Sequence, residues 1–180
     1  MRATISLGVI LATIVIVTGC SKPESTKSDA KGSAVPAAPM PANLFVATAP
    51  GGAQNVKDAK ATARKGDEIV LVGRIGGSKQ AFVEGRAIFT LVDSRVKSCA
   101  EGAEMDWCKT PWDYCCEPRE ELTANLASIE VVGADGKPIK TGLQGANGLK
   151  PLAVVTIAGR VADAGGGILL LDAKSIHVGD

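Results

Sequence analysis

The stretch Gly66-Asp67-Glu68-Ile69-Val70-Leu71-Val72-Gly73-Arg74-Ile75-Gly76-Gly77 decides the fold. Residues 68–75 are β-branched and largely apolar, and Gly76-Gly77 closes the run, which reads as a buried strand ending in a turn. Its ending is echoed downstream, where Ala158-Gly159-Arg160-Val161 repeats the pattern of Val72-Gly73-Arg74-Ile75. A glycine inside a strand marks a bulge or sharp bend, which a small closed barrel needs. Working outward, Ala87–Asp93 is a second strand, and Ser128–Val132 is a third that turns at Asp135-Gly136 into Lys137-Pro138-Ile139. Ala153–Val161 and Ile168–Val178 form a last pair joined by Gly165-Gly166-Gly167. Upstream, Val56, Ala59 and Ala63 share one face of a short helix over 55–65, ended by Gly66. Five strands at this spacing predict an all-β domain with little helix, either a small barrel or a β-sandwich.

The opening strand, the Phe89-Thr90-Leu91-Val92-Asp93 strand and the glycine-linked terminal hairpin together resemble the OB-fold over residues 66–178. That resemblance implies a five-stranded β-barrel with a helix between its third and fourth strands. The helix would fall in Thr141–Lys150, where three glycines leave room only for a short turn.

Between strands two and three, residues 94–122 form an insertion that a barrel does not require. It holds Cys99, Cys108, Cys115 and Cys116, together with Trp107, Trp112 and Tyr114, half of the six aromatic residues in the chain. Eight acidic against four basic residues between Asp93 and Glu121 make it locally acidic. The run Lys109-Thr110-Pro111-Trp112-Asp113-Tyr114-Cys115-Cys116-Glu117, combined with the Gly73-Arg74-Ile75-Gly76-Gly77 strand, resembles a signature of bacterial envelope lipoproteins to which no reaction is attached. The resemblance implies a class and supplies no mechanism.

The N-terminus carries the address. Arg2 is followed by the uncharged apolar run Ala3–Val17 and then Val17-Thr18-Gly19-Cys20, the pattern of a secretory signal over residues 1–19. The Val-Thr-Gly-Cys ending resembles the bacterial lipobox, which implies cleavage before Cys20 and lipidation of that cysteine. An uncleaved membrane anchor is the alternative, although a spanning helix wants ~20 apolar residues and this run is shorter. Ser21, rather than aspartate, follows the cysteine, which by the same analogy implies an outer-membrane anchor facing the periplasm. Residues 20–43 are rich in Ser, Lys, Ala and Pro, lack a hydrophobic period and read as a disordered tether, spanning roughly 75 Å when extended. Residues 44–180 then form the barrel domain, with a core that must come from Val, Ile, Leu and Ala because aromatics are few.

In an oxidising compartment, the four insertion cysteines are expected to form two disulfides. Three pairings exist; Cys115 and Cys116, as neighbours, are poorly placed to bond each other, so each reaches back to Cys99 or Cys108. Each bridge would contribute ~3 kcal/mol and stiffen the loop. Thiolates joined by Asp106, Asp113 or Glu117 are the metal-binding alternative, without any Cys-x-x-Cys pair to support it. Redox chemistry would need a cysteine activated by positive charge, and acidic residues dominate here. Covalent haem would need Cys-x-x-Cys-His, which is absent, and no cofactor is expected.

After loss of Arg2 the chain has 19 basic and 19 acidic residues, which gives no general pull toward nucleic acid. Phe82, Phe89, Arg74, Lys79 and Arg86 are the few candidates for stacking and phosphate contact, and the acidic insertion opposes them. Hydrolysis would have to use His177, the one histidine, which alternates with Ile176 and Val178 as a strand residue. The expectation is therefore a non-enzymatic, membrane-anchored binding or structural module. Trp107, Trp112 and Tyr114 are either anchors for a protein or glycan partner or packing groups around the disulfides.

Overall fold

The computed structural model describes residues 39–101 and 108–179. The signal, Cys20, nearly all of the tether, Asp106 and Trp107 lie outside the described residues. In chain order the elements are β1 (Gln54–Asn55), α1 (Val56–Thr62), β2 (Glu68–Ile75), β3 (Ile88–Asp93), α2 (Arg119–Ala124), β4 (Leu126–Glu130), β5 (Val154–Gly165) and β6 (Ile168–Val178). Among the described residues, no helix is long and apolar enough to cross a membrane.

The sheet order is β1-β2-β3-β4-β6-β5, and β5 returns to pair with β2 from Glu68↔Arg160 to Arg74↔Val154. That closure makes β2–β6 a five-stranded barrel and leaves β1 as an extra parallel strand beside β2. The β4–β6 pair is parallel and the other barrel pairs are antiparallel, giving an OB-like order rather than two facing sheets. The insertion lies between β3 and β4, the second and third barrel strands.

Alternation fills the interior with apolar, mostly aliphatic side chains: Leu71 and Ile75 from β2, Phe89 and Leu91 from β3, Ile129 from β4, Val155 and Ile157 from β5, and Leu169 and Leu171 from β6. Each such burial is worth roughly 1.5–3 kcal/mol before chain entropy is charged. The echoed glycines have matching jobs. A Cβ on Gly73 would stand 2.5 Å from the Val92 carbonyl oxygen, and one on Gly159 would meet the Asp172 backbone beside a register shift in β5. Gly166 and Gly167, at φ +56° and +83°, supply the two left-handed residues of the β5–β6 turn.

Two features close the barrel ends. Helix α1 buries Val56 and Ala59 against the core, while the Thr141–Lys150 connection contributes Leu143 and Leu149 through a single 3-10 turn at Ala146–Gly148. That connection is short, as its glycines required. Helix α2 was not anticipated, because Arg119–Ala124 carries no apolar stripe and buries no residue fully. The strand starts also shift: the third strand begins at Leu126 instead of Ser128 because Val92 pairs with Leu126. Leu44 joins the domain by accepting a hydrogen bond from the Ile176 amide (2.6 Å).

Candidate functional site

The two sequence runs that resemble a lipoprotein signature meet in space. Arg74 of β2 reaches Glu101 at the start of the insertion (Nη1–Oε2 2.8 Å), and the same carboxylate accepts the Ser98 amide. At the other end of the run, the Gly77 amide donates to the Trp112 carbonyl (2.8 Å). Gly76 is bare by necessity: a Cβ there would lie 2.6 Å from the Trp112 oxygen and 2.8 Å from Tyr114 Cε2. Gly76 is thus the floor on which Trp112–Tyr114 rests, and a side chain there would lift the flap, whereas one on Gly77 would meet Leu126 and Val92.

Pro111–Asp113 forms a 3-10 turn, with proline suited to its first position, and Tyr114 ends it in the left-handed region at φ 56°. That turn sends Tyr114 inward, where it is fully buried, so Tyr114 is a packing group and not an exposed anchor. Burial pushes its phenol above the usual range, against the pull of the Arg74 charge. Trp112 is half-buried against the core and donates Nε1–H to the Lys79 carbonyl (3.1 Å). Of the three candidate aromatic anchors, only Trp112 is placed at a surface; Trp107 lies outside the described residues.

The sulfur atoms cluster behind this turn. Cys99, nearly fully buried, is bonded to Cys116, with Cα atoms 6.3 Å apart. Cys108 and Cys115 are free thiols, half-buried and exposed respectively. One expected bridge is therefore present, and the remaining two cysteines stand close together. The sulfurs of Cys99, Cys108 and Cys115 and a carboxylate oxygen of Asp113 all lie within 4.8 Å of one another, with Cys99 and Cys115 at 4.0 Å.

Asp113 is 8% exposed. Its Oδ2 accepts the Thr110 hydroxyl and its Oδ1 the Cys115 amide, both at 2.9 Å. Burial alone would raise its pKa, but the Cys115 amide, the Thr110 hydroxyl, the Cys115 thiol and the Lys79 charge hold it below the usual carboxylate range. The reverse applies to Cys115, whose thiol is pushed up by its hydrogen bond to Asp113, then by desolvation and the neighbouring negative charge. A thiol held in its protonated form is a poor nucleophile, which counts against an activated redox cysteine.

A cleft of about 420 Å³ opens beside Trp112, between the β2–β3 loop and the Thr141–Lys150 connection. Lys79, Phe82, Glu84, Trp112, Gln144 and Pro151 are among its walls, and Val83 at 41% exposure is one of the most exposed large apolar side chains. Phe82 and Phe89 stack at 5.8 Å but are both buried, so neither offers a platform to a nucleic-acid base. His177 sits on β6 opposite Thr156, with Nδ1 3.2 Å from the Val46 carbonyl. Sequence reasoning missed the β2–β3 loop as a cleft wall, because Lys79–Gly85 carries no motif. It also missed Glu130 and Asp172, which pair across β4 and β6 in parallel register. Burial and Asp172 push Glu130 up to about 7, and Asp172 Oδ1 is buried without a donor among the described residues. A protonated Glu130 carries the donor that oxygen lacks.

Fold and site together define a small OB-like barrel with a disulfide-pinned, thiol-rich flap over one end of its second-strand turn. Comparison with protein-family models and with curated proteins finds no match to the chain.

Proposed function

We propose that this chain is a bacterial envelope lipoprotein, anchored through Cys20 to the outer membrane and facing the periplasm, whose barrel is a non-catalytic binding module. The observation that carries the binding reading is the cleft beside Trp112. It lies on the loop between the first two barrel strands, a region that OB-like barrels use for ligands, an analogy of fold. Its chemistry favours a glycan over a protein segment: one half-buried indole supplies an apolar plate, and Lys79, Glu84 and Gln144 supply charged and amide hydrogen-bonding groups. The flap is anchored at Arg74–Glu101, at Gly77–Trp112 and by Cys99–Cys116, so the plate is held before a ligand arrives. The engagement of His177 with the Val46 carbonyl supports the non-catalytic reading, since it is the one histidine in the chain.

The test uses the whole mature chain with Cys20→Ser, titrated with soluble fragments of bacterial cell-wall glycan. Trp112→Ala is expected to weaken binding at least ~10-fold in a chain that is still folded by circular dichroism, with a lowered melting temperature from the lost packing. Equal binding by a folded Trp112→Ala chain would remove the cleft from the proposal. Absence of glycan binding, with a photo-crosslinker at Val83 capturing a protein in the envelope, would replace the glycan by a protein segment.

A further inference from the structure

We propose that the flap holds a thiophilic metal ion between the sulfurs of Cys108 and Cys115 and the carboxylate of Asp113, with the Cys99–Cys116 bridge fixing the flap around it. The site is separate from the ligand cleft and does not depend on it.

Three observations support the assignment. The first is spacing. The candidate donor atoms stand within 4.8 Å of one another. Ligands on a tetrahedral zinc ion with bonds near 2.3 Å stand roughly 3.8 Å apart, so the cluster has to contract by about an ångström at most. The second is charge. Asp113 is a buried carboxylate whose hydrogen-bond partners, the Thr110 hydroxyl and the Cys115 amide and thiol, are all neutral. Among the described residues no Lys, Arg or His nitrogen lies within 4.0 Å of it, and residues 102–107 contain no basic side chain. Buried charges are ordinarily paired or bound to a metal. The third is preorganisation. The Thr110 hydroxyl and the Cys115 amide fix the carboxylate, and the left-handed Tyr114, packed on the Gly76 floor, connects Asp113 to Cys115.

The donor set chooses the ion. Two sulfurs and one oxygen suit zinc, cadmium or another soft to borderline cation, and do not suit magnesium or calcium, which take oxygen ligands. Binding a divalent ion replaces one proton on each of the two thiols, so two protons leave and no electron moves. The Cys99–Cys116 bond stays intact throughout. The competing fate of the same thiols is a second disulfide, in which a disulfide oxidant takes two electrons and two protons from Cys108 and Cys115 and the metal donors are lost.

The test is a cadmium titration of the whole mature chain carrying Cys20→Ser, after counting thiols in the unfolded protein. The expected result is two titratable thiols with one disulfide by mass, one cadmium bound per chain with a thiolate-to-metal absorption band, and release of two protons. Cys108→Ser and Cys115→Ser should each weaken binding at least ~100-fold, and Asp113→Asn ~10-fold or more, since even outer-shell partners of a metal are worth ~10–100-fold. Circular dichroism establishes that each variant is folded, and cadmium NMR of the unsubstituted chain counts bound sulfurs independently of any variant. Absence of cadmium binding by protein with two free thiols would overturn the proposal. So would unchanged affinity in folded Cys115→Ser, a shift reporting four sulfurs, or a Cys108–Cys115 disulfide in protein taken from the envelope.

Discussion

Asp93 flanks the cysteine insertion and Asp113 lies within it, both buried and both held by backbone amides, yet one is gripped by a guanidinium and the other by neutral donors. Asp93 is fully buried, and its Oδ1 accepts the Arg95 amide (3.0 Å) and Arg95 Nε (2.9 Å) while Oδ2 accepts the Lys57 amide (2.9 Å) and Arg95 Nη2 (3.0 Å). The guanidinium therefore neutralises it in a two-pronged grip. The Lys57 amide belongs to the first turn of α1, where Asn55 makes no side-chain cap, so Asp93 does the capping from another strand. Arg95 also reaches Asp58, tying β3, α1 and the insertion together. Among the described residues Asp113 has neutral donors, the Thr110 hydroxyl and the Cys115 amide and thiol, with three sulfurs nearby and Lys79 as a more distant charge. One corner is complete as built. The other holds negative charge with no Lys, Arg or His nitrogen within 4.0 Å among the described residues.

The largest expected effect breaks the comparison most directly. Asp93→Asn turns one buried acceptor into a donor and leaves Arg95 only its exposed pair with Asp58, at a cost of about 3 kcal/mol in urea denaturation. Asp113→Asn in metal-free protein should cost less, about 1 kcal/mol, because its carboxylate is held by neutral donors and not by a guanidinium. Equal costs at both sites would mean that the two corners are alike. Acid should act on the first corner too. Burial opposes ionisation of Asp93, but the Arg95 side chain and the Lys57 and Arg95 amides outweigh it and hold its pKa below the usual value. Its contribution is complete above the unfolded carboxylate range and is lost as pH falls through the lowered folded value.

A medium effect isolates the second corner. Gly76→Ala places a methyl group against the Trp112 oxygen and the Tyr114 ring, so about 2 kcal/mol of stability should be lost. Cys108 and Cys115 should then react faster with a thiol reagent, while the Asp93 corner is unaffected. Unchanged thiol reactivity would mean that the glycine floor does not position the flap.

The smallest effect adds a third way of burying a carboxylate. Glu130, raised to about 7 by burial and Asp172, keeps its proton where an ordinary glutamate has lost it. The folded state then binds more protons than the unfolded state between about pH 4.5 and 7, so stability falls as pH rises through that window. Solvent reach reduces the penalty to roughly 1 kcal/mol. Glu130→Gln should flatten this dependence and raise the melting temperature at pH 8. A pH profile identical to that of the unsubstituted chain would show that Glu130 is charged in the fold.

The barrel was readable because its instructions are local. Alternation in Glu68–Ile75 and Ile88–Asp93, the left-handed glycines at 166 and 167, the close backbone approach at Gly73 and the register shift at Gly159 each act over a few residues. The site was readable only as composition: four cysteines, Trp112 and Asp113 in one acidic insertion. Burial of Tyr114 was left open because a left-handed residue after a 3-10 turn is not written in any periodicity. Helix α2 stayed hidden because an exposed helix of six residues needs no apolar stripe.

By itself the sequence determined the β class, the strand limits within a few residues, the extra cysteine loop and the need for bare backbone at the echoed glycines. Only the tertiary structure decided which side chains meet. Closure of β5 onto β2 and the offset between strands bring Gly76 under Trp112, Asp93 to the start of α1, and Glu130 beside Asp172. Those neighbours lie 36, 42 and 36 residues apart in the case of Gly76 with Trp112, Glu130 with Asp172 and Lys57 with Asp93. Local propensity acts within a turn or a strand, whereas such contacts are fixed by register around a closed barrel, which no short stretch of chain contains.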